Sequence, residues 1–431
     1  MLSAFRFVRV PPVLLFAAAA LDCGVSPPGP AKPEPTRVDV PAPSAEDLAR
    51  KDYHPVNREA SPAPEPGQED TALLSPLDLP GGGRIATPAE WTAKRRPELI
   101  AEWTKILGKI APSAEDRKWF GDITQARVNG TEETEHYTRI DLDIPIEIDF
   151  FQKHLLLLPK GQGSGPFPAV IAWTSTSPDY REPEKWWGEY LASNGYVVLT
   201  SWAFIRHYRQ DSNYGKGAPE LVHERFGRWM PMAKMVHDAE REAEYLRSRP
   251  EVDGKRIGFI GFSLSAKSAL YIAAFAPSII ATVSVDPHVA INGNSNYYDK
   301  WYLDWQRKFD DIQTDDYPVP ELRGTVQSLL NPDVARPGFE RDHHELLALA
   351  APHPVLVIGG NEQKSEGRHS DGPQSWAYIN RARDVYELLG VPERLYFVLT
   401  DGGHAAISEI GDRAWKTFFR RWLQGTPVEN R

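Results

Sequence analysis

Hydrophobic and polar positions change their period several times along this 431-residue chain, and each change marks an element. Residues 137–149 alternate, with Ile140, Leu142, Ile144, Ile146 and Ile148 on one side, which is the period of a half-buried strand. Residues 150–159 carry a second strand into the turn Gly161-Gln162-Gly163-Ser164-Gly165. These two read as an antiparallel hairpin or meander at one edge of a sheet. Short apolar runs then alternate with longer amphipathic stretches. Strands are predicted at 167–173, 196–201, 257–261, 279–285, 354–359 and 394–399, and helices at 184–193, 232–248 and 414–422. An earlier helix starts at Thr87-Pro88-Ala89-Glu90, where a threonine cap, a proline and a glutamate three residues on form a capping signature, and it runs past Trp91 and Ile106. Alternation of this kind predicts an α/β chain: a mostly parallel sheet with helices on both faces.

Other stretches fall outside the pattern. Residues 1–23 combine Arg6 and Arg9 with an apolar core at 13–21, the make-up of a secretory signal peptide. Cys23 is the single cysteine, so no intrachain disulfide forms, and its place after the apolar core makes it a candidate lipid anchor. The preceding Ala20-Leu21-Asp22 fits a lipobox poorly, so cleavage and release is the other expectation. Residues 24–70 are rich in Pro, Ala, Glu and Ser and lack the apolar surface to offset ordering entropy, so they read as a spacer. A catalytic domain is expected over 71–426. Two long insertions, 203–229 and 292–341, interrupt it as cap segments at the carboxyl ends of strands. The second holds Trp301 and Trp305, candidate substrate-binding aromatics or simply the cap's own core. A net charge of −10 with no basic run argues against a nucleic-acid partner.

The chemistry is concentrated at Gly261-Phe262-Ser263-Leu264-Ser265. An apolar strand ends there and an alanine-rich helical run begins, with almost no room to turn. Such a joint lifts a serine hydroxyl to the carboxyl end of the sheet, beside a helix N-terminus whose N–H groups face a developing oxyanion. It resembles the nucleophile elbow of the α/β-hydrolases, with Ser265 in place of the usual last glycine. That resemblance implies the α/β-hydrolase fold and the chain order serine, acid, histidine. His404 lies in Thr400-Asp401-Gly402-Gly403-His404, just after the last strand, where it can reach the elbow. The acid that orients it is expected to be Asp371, with Asp286 second and Glu362 third. The oxyanion hole is expected to use the N–H of Leu264 and one from Thr174 or Ser175.

The run from Asp342-His343-His344-Glu345 to Pro352-His353-Pro354 resembles bacterial glucuronoyl esterases and dienelactone-hydrolase-like and acetyl xylan esterases. So do Val385-Tyr386-Glu387-Leu388-Leu389-Gly390 and the segment from Trp91 to Leu99. Against the glucuronoyl esterase elbow, Gly261, Ser263 and Lys267 match, whereas Leu264 stands where that family has an oxyanion-binding arginine. The resemblance implies a uronate-binding role for Lys267 and places Asp286 at that family's acid; Ser370-Asp371-Gly372 instead resembles the dienelactone-hydrolase-like branch. Asp342 reads as a helix N-cap, and the adjacent histidines point apart, so no metal and no cofactor is expected. The function expected is that of an exported serine esterase acting on a carbohydrate-linked ester, acetyl or glucuronoyl. The alternatives are a peptidase or lipase of the same fold, or a non-catalytic binding protein that keeps it.

Overall fold

The sheet begins at its most polar edge, with β1 (Arg127–Glu133), a strand exposed at every position. It pairs antiparallel with β2 (Tyr137–Glu147), which pairs antiparallel with β3 (Phe150–Pro159). After β4 (Phe167–Trp173) and β5 (Val197–Ser201) come β6 (Val252–Phe262), β7 (Ala281–Val285), β8 (Val355–Gly360) and β9 (Leu395–Thr400). The order across the sheet is β1-β2-β3-β5-β4-β6-β7-β8-β9. From β5 to β9 every pairing is parallel. This computed structural model describes residues 73–175, 177, 179–202, 222, 224–289, 341–361, 370–372 and 375–425. Residues 1–23 with Cys23, the 24–70 spacer, Trp301, Trp305 and Glu362 lie outside the described residues.

Side-chain alternation along the strands feeds two cores. Ile171, Leu199, Phe259 and Val357 point to one face, where they pack with α1 (Arg96–Leu107), α3 (Pro231–Ser248), α4 (Leu264–Phe275), α5 (His344–Ala350) and α6 (Ser375–Leu388). Val170, Val198, Ile260, Val283 and Ile358 point to the other, against α2 (Glu189–Ser193) and α7 (Glu409–Phe419). The parallel sheet with helices on both faces is therefore as the pattern predicts. The capping box at Thr87 is also formed, with its side chain accepting from the Glu90 N–H.

The outermost strand β1 (Arg-Val-Asn-Gly-Thr-Glu-Glu) has no apolar alternation and so carries no strand period in the sequence. Two local expectations are corrected. Ile148 does not continue the buried face of β2 but sits in the β2–β3 turn, 50% exposed. Asp342 does not take the N-cap position of α5: that position is His343, whose N–H donates to Asp342 Oδ1 at 2.7 Å. No helix among the described residues is long and apolar enough to cross a membrane.

Candidate active site

Strand β6 delivers Ser263 at the N-cap of α4 with φ 56° and ψ −110°. A non-glycine residue rarely adopts this left-handed region, and at a strand-to-helix turn the strain is part of the device. The Ser263 N–H donates to the Val285 carbonyl at 2.9 Å, and its carbonyl accepts from the Lys267 N–H at 2.9 Å. Gly261 makes the tight turn possible, because a Cβ there would lie 2.6 Å from the Ser265 carbonyl oxygen. Ser265 fills the fifth motif position without disrupting it: it is fully buried, and its hydroxyl donates to the Thr174 carbonyl.

His404 reaches the elbow from the loop after β9. Its Nε2 is 2.8 Å from Ser263 Oγ, and its Nδ1 is 2.5 Å from Asp286 Oδ2. The loop is admitted by Gly360, where a Cβ would lie 2.4 Å from the Gly403 carbonyl. The two groups are 141 positions apart in the chain and meet at the carboxyl end of the sheet.

The carboxylate against the imidazole is Asp286, at the end of β7, not Asp371. Asp371 is turned away from the ring. Its Oδ2 accepts from the His288 N–H at 2.8 Å, and its Oδ1 from the Val289 N–H at 2.7 Å and Ser375 Oγ at 2.8 Å. Its own N–H donates to Asp286 Oδ1 at 2.8 Å. So Asp371 sits behind Asp286 and fixes the 286–289 turn. A glycine makes room here too, since a Cβ at Gly359 would lie 2.8 Å from Asp371 Cβ. Burial raises the pKa of both carboxyls above the ordinary range; hydrogen bonds from neighbouring groups oppose this at each, and at Asp371 the Asp286 charge adds to it.

Of the expected oxyanion donors, Leu264 opens α4 directly after Ser263. The Thr174 N–H is instead used by the Ser201 carbonyl at 2.9 Å, which leaves Ser175 as the candidate on that loop. Lys267 is not a surface cation: it is 3% exposed, one helical turn beyond Ser263. The histidines of the 342–345 cluster are core anchors. His343 bridges the Val289 carbonyl (2.8 Å) and Tyr271 Oη (2.9 Å), and burial, then the Lys267 charge, holds it well below the usual histidine range. His344 Nε2 meets the Leu74 carbonyl at 3.0 Å.

Asp286, His288 and His404 bring ligand-type atoms within 4.8 Å of one another, the one such group among the described residues. The two imidazoles stack nearly parallel, 4.9 Å apart at 20°, so one ion cannot lie in both ring planes. Two of the three groups are already in contact with each other, and His404 is also in contact with Ser263 Oγ. The residues therefore fit a metal poorly.

Sequence reasoning missed the buried bracket beneath the oxyanion loop. Glu242 on α3 accepts from Trp173 Nε1 (2.7 Å), at the end of β4, and from Gln152 Nε2 (3.1 Å). His154 Nε2 lies 2.8 Å from the same carboxylate and its Nδ1 2.8 Å from the Gln152 carbonyl. Gln152, His154 and Glu242 are all 0% exposed. Glu242→Ala leaves three buried groups without this acceptor, and a loss of about 3–5 kcal/mol is expected. A denaturant midpoint unchanged from the parent protein would contradict that role.

A sequence profile of the family described as "BAAT / Acyl-CoA thioester hydrolase C terminal" matches residues 239–337. Mouse acyl-coenzyme A thioesterase 1 is 28% identical over 155 residues, 36% of this chain and 31% of the relative. The mouse mitochondrial acyl-coenzyme A thioesterase 2 is also 28% identical, over 36% of this chain and 29% of its own length. The chain thus spans about a third of these relatives. Among solved structures, a glucuronoyl esterase from Solibacter usitatus superposes with a TM-score of 0.61 at 20% identity, over 81% of this chain and 97% of that one. A CE15 glucuronoyl esterase from Teredinibacter turnerae gives a TM-score of 0.60 at 18% identity, over 82% and 89%. The chain has the α/β-hydrolase fold, and the proteins it resembles are named as esterases and thioesterases.

Proposed function

We propose that the protein is a serine carboxylic-ester hydrolase working through an acyl-enzyme, with a carbohydrate-linked ester as substrate. One observation carries this reading: the unbroken contact line Ser263 Oγ to His404 Nε2, and His404 Nδ1 to Asp286 Oδ2. Ser263 Oγ attacks the ester carbonyl carbon while His404 Nε2 takes its proton. The oxyanion gathers at the N–H groups of Leu264 and Ser175. His404 returns the proton to the leaving alcohol as the ester C–O bond breaks. Water then attacks the acyl carbon, gives a proton to His404, and Ser263 departs with that proton. Asp286 holds the imidazole tautomer that can accept at Nε2 and stabilises the imidazolium as it forms.

The sugar-ester preference rests on the neighbours. One glucuronoyl esterase was solved with methyl 4-O-methyl-β-D-glucopyranuronate bound, at a TM-score of 0.53 to this chain. The buried Lys267, one turn from the nucleophile, suits an acidic sugar, and Trp301 and Trp305 are candidates to cover it. The signal-like residues 1–23 fit export, with release or a tether at Cys23. A second reading, thioester hydrolysis, is favoured by the family match over residues 239–337. Comparing kcat/KM on a benzyl glucuronate ester, an acetylated xylo-oligosaccharide and a long-chain acyl-CoA separates the two. The sugar esters are expected to lead by at least about tenfold; an acyl-CoA lead of that size would transfer the assignment to thioesters.

A further inference from the structure

Two rings lie against the imidazole of His404. Phe262, the residue before Ser263, makes a tilted contact with centroids 4.7 Å apart at 34°. His288 stacks on His404 with centroids 4.9 Å apart at 20°. His288 is 2% exposed, so its ring keeps water from that contact. It also has φ 57°, as does Asp286 two residues before it. Two left-handed non-glycine residues in one short turn are uncommon, because the Cβ crowds the backbone. What holds the turn is the Asp371 carboxylate on the His288 and Val289 N–H groups, together with the Asp371 N–H on Asp286. One turn therefore aims two side chains at the same imidazole: Asp286 at its Nδ1 edge and His288 at its face.

We infer that His288 is a positioning residue for ester hydrolysis, one wall of a slot that keeps the His404 ring aligned on Ser263 and dry on that side. This deepens the serine-esterase reading and rests on it. An imidazole free to rotate about its χ2 angle loses alignment with the hydroxyl, and alignment is worth a large rate factor. A ring wall stops the rotation without taking a proton itself. The titratable groups that meet His288 include Asp371 at its N–H, Asp286 two residues back on the same turn, and His404 from the loop after β9.

The test compares His288→Ala, which removes the wall, with His288→Phe, which restores a flat ring. Both are assayed on 4-nitrophenyl acetate across pH, with competent sites counted by a fluorophosphonate. The His404 titration is followed by NMR on histidine-labelled protein. Per competent site, His288→Ala is expected to lose about 10- to 100-fold in kcat with KM little changed. Its His404 titration should move upward as water reaches the ring. His288→Phe should stay within about threefold of the parent, with the titration unmoved. A structural role alone would reduce the number of competent sites and leave the rate per site and the titration where they were. Full activity per site in His288→Ala, an unmoved His404 titration, or a Phe variant as slow as the Ala variant would overturn the inference. Absence of ester hydrolysis and of labelling in the parent protein would instead overturn the esterase reading, and the NMR comparison would still decide the slot.

Discussion

Ser263→Ala is expected to lower kcat/KM on 4-nitrophenyl acetate and on sugar esters by about 10³-fold or more, with the fold intact. The hydroxyl lies 2.8 Å from His404 Nε2, and no other step in the proposed cycle replaces the acyl-enzyme. Removing a triad nucleophile leaves only what the oxyanion hole and binding provide, a small residue of the full rate. The substitution also relaxes nothing essential in the backbone. Ser263 is held in its strained conformation by its N–H on Val285 and its carbonyl under Lys267, and both contacts are main-chain. Circular dichroism and the thermal midpoint should therefore match the parent. A variant that kept the parent rate would remove the covalent mechanism, whatever its stability.

The second large effect separates two buried carboxylates. Asp286→Asn should reduce kcat by about 10⁴-fold, because an amide at Nδ1 no longer selects the tautomer that can accept the serine proton. Asp371→Asn keeps an oxygen acceptor for the turn and does not touch the ring, so about 10- to 100-fold is expected. If the two losses were reversed, the geometry of the acid would be refuted. The pair also has a stability signature. Burial raises both carboxyls, so from about pH 4 up to the raised values the folded protein holds protons that the unfolded chain has released. Stability therefore falls as pH rises through that window. Asp371→Asn removes one member of the pair, and the slope of unfolding free energy against pH should flatten.

The same two residues show how far the sequence could be read. The strands from β4 to β9 were legible because each buried strand is a short apolar run between turn residues, and the elbow was legible because Gly261, Ser263 and the helical run beyond it are contiguous. His404 followed from its place after the last strand. The acid was different. Asp286 follows β7 and Asp371 follows β8, neighbouring strands of a parallel sheet, so both carboxylates arrive at the same end of the sheet and the pattern of residues cannot rank them. The ranking is set by the left-handed turn at 286–288, which points Asp286 at the ring and gives Asp371 the backbone N–H groups. His288 carried no signal beyond its nearness to Asp286. The exposed edge strand β1 escaped because no face of it is buried, so no period was written into it. Thr174 was a reasonable oxyanion donor until parallel pairing placed the Ser201 carbonyl against its N–H.

The proposed chemistry makes one serine nucleophilic through one histidine across the mouth of the sheet. It is tested most directly by treating the intact protein with a fluorophosphonate and mapping the adduct by mass spectrometry, beside His404→Ala under the same conditions. One adduct per chain, on Ser263, with labelling at least about 10³-fold slower in His404→Ala, is the result expected. Labelling at another residue, or at an equal rate without His404, would contradict it.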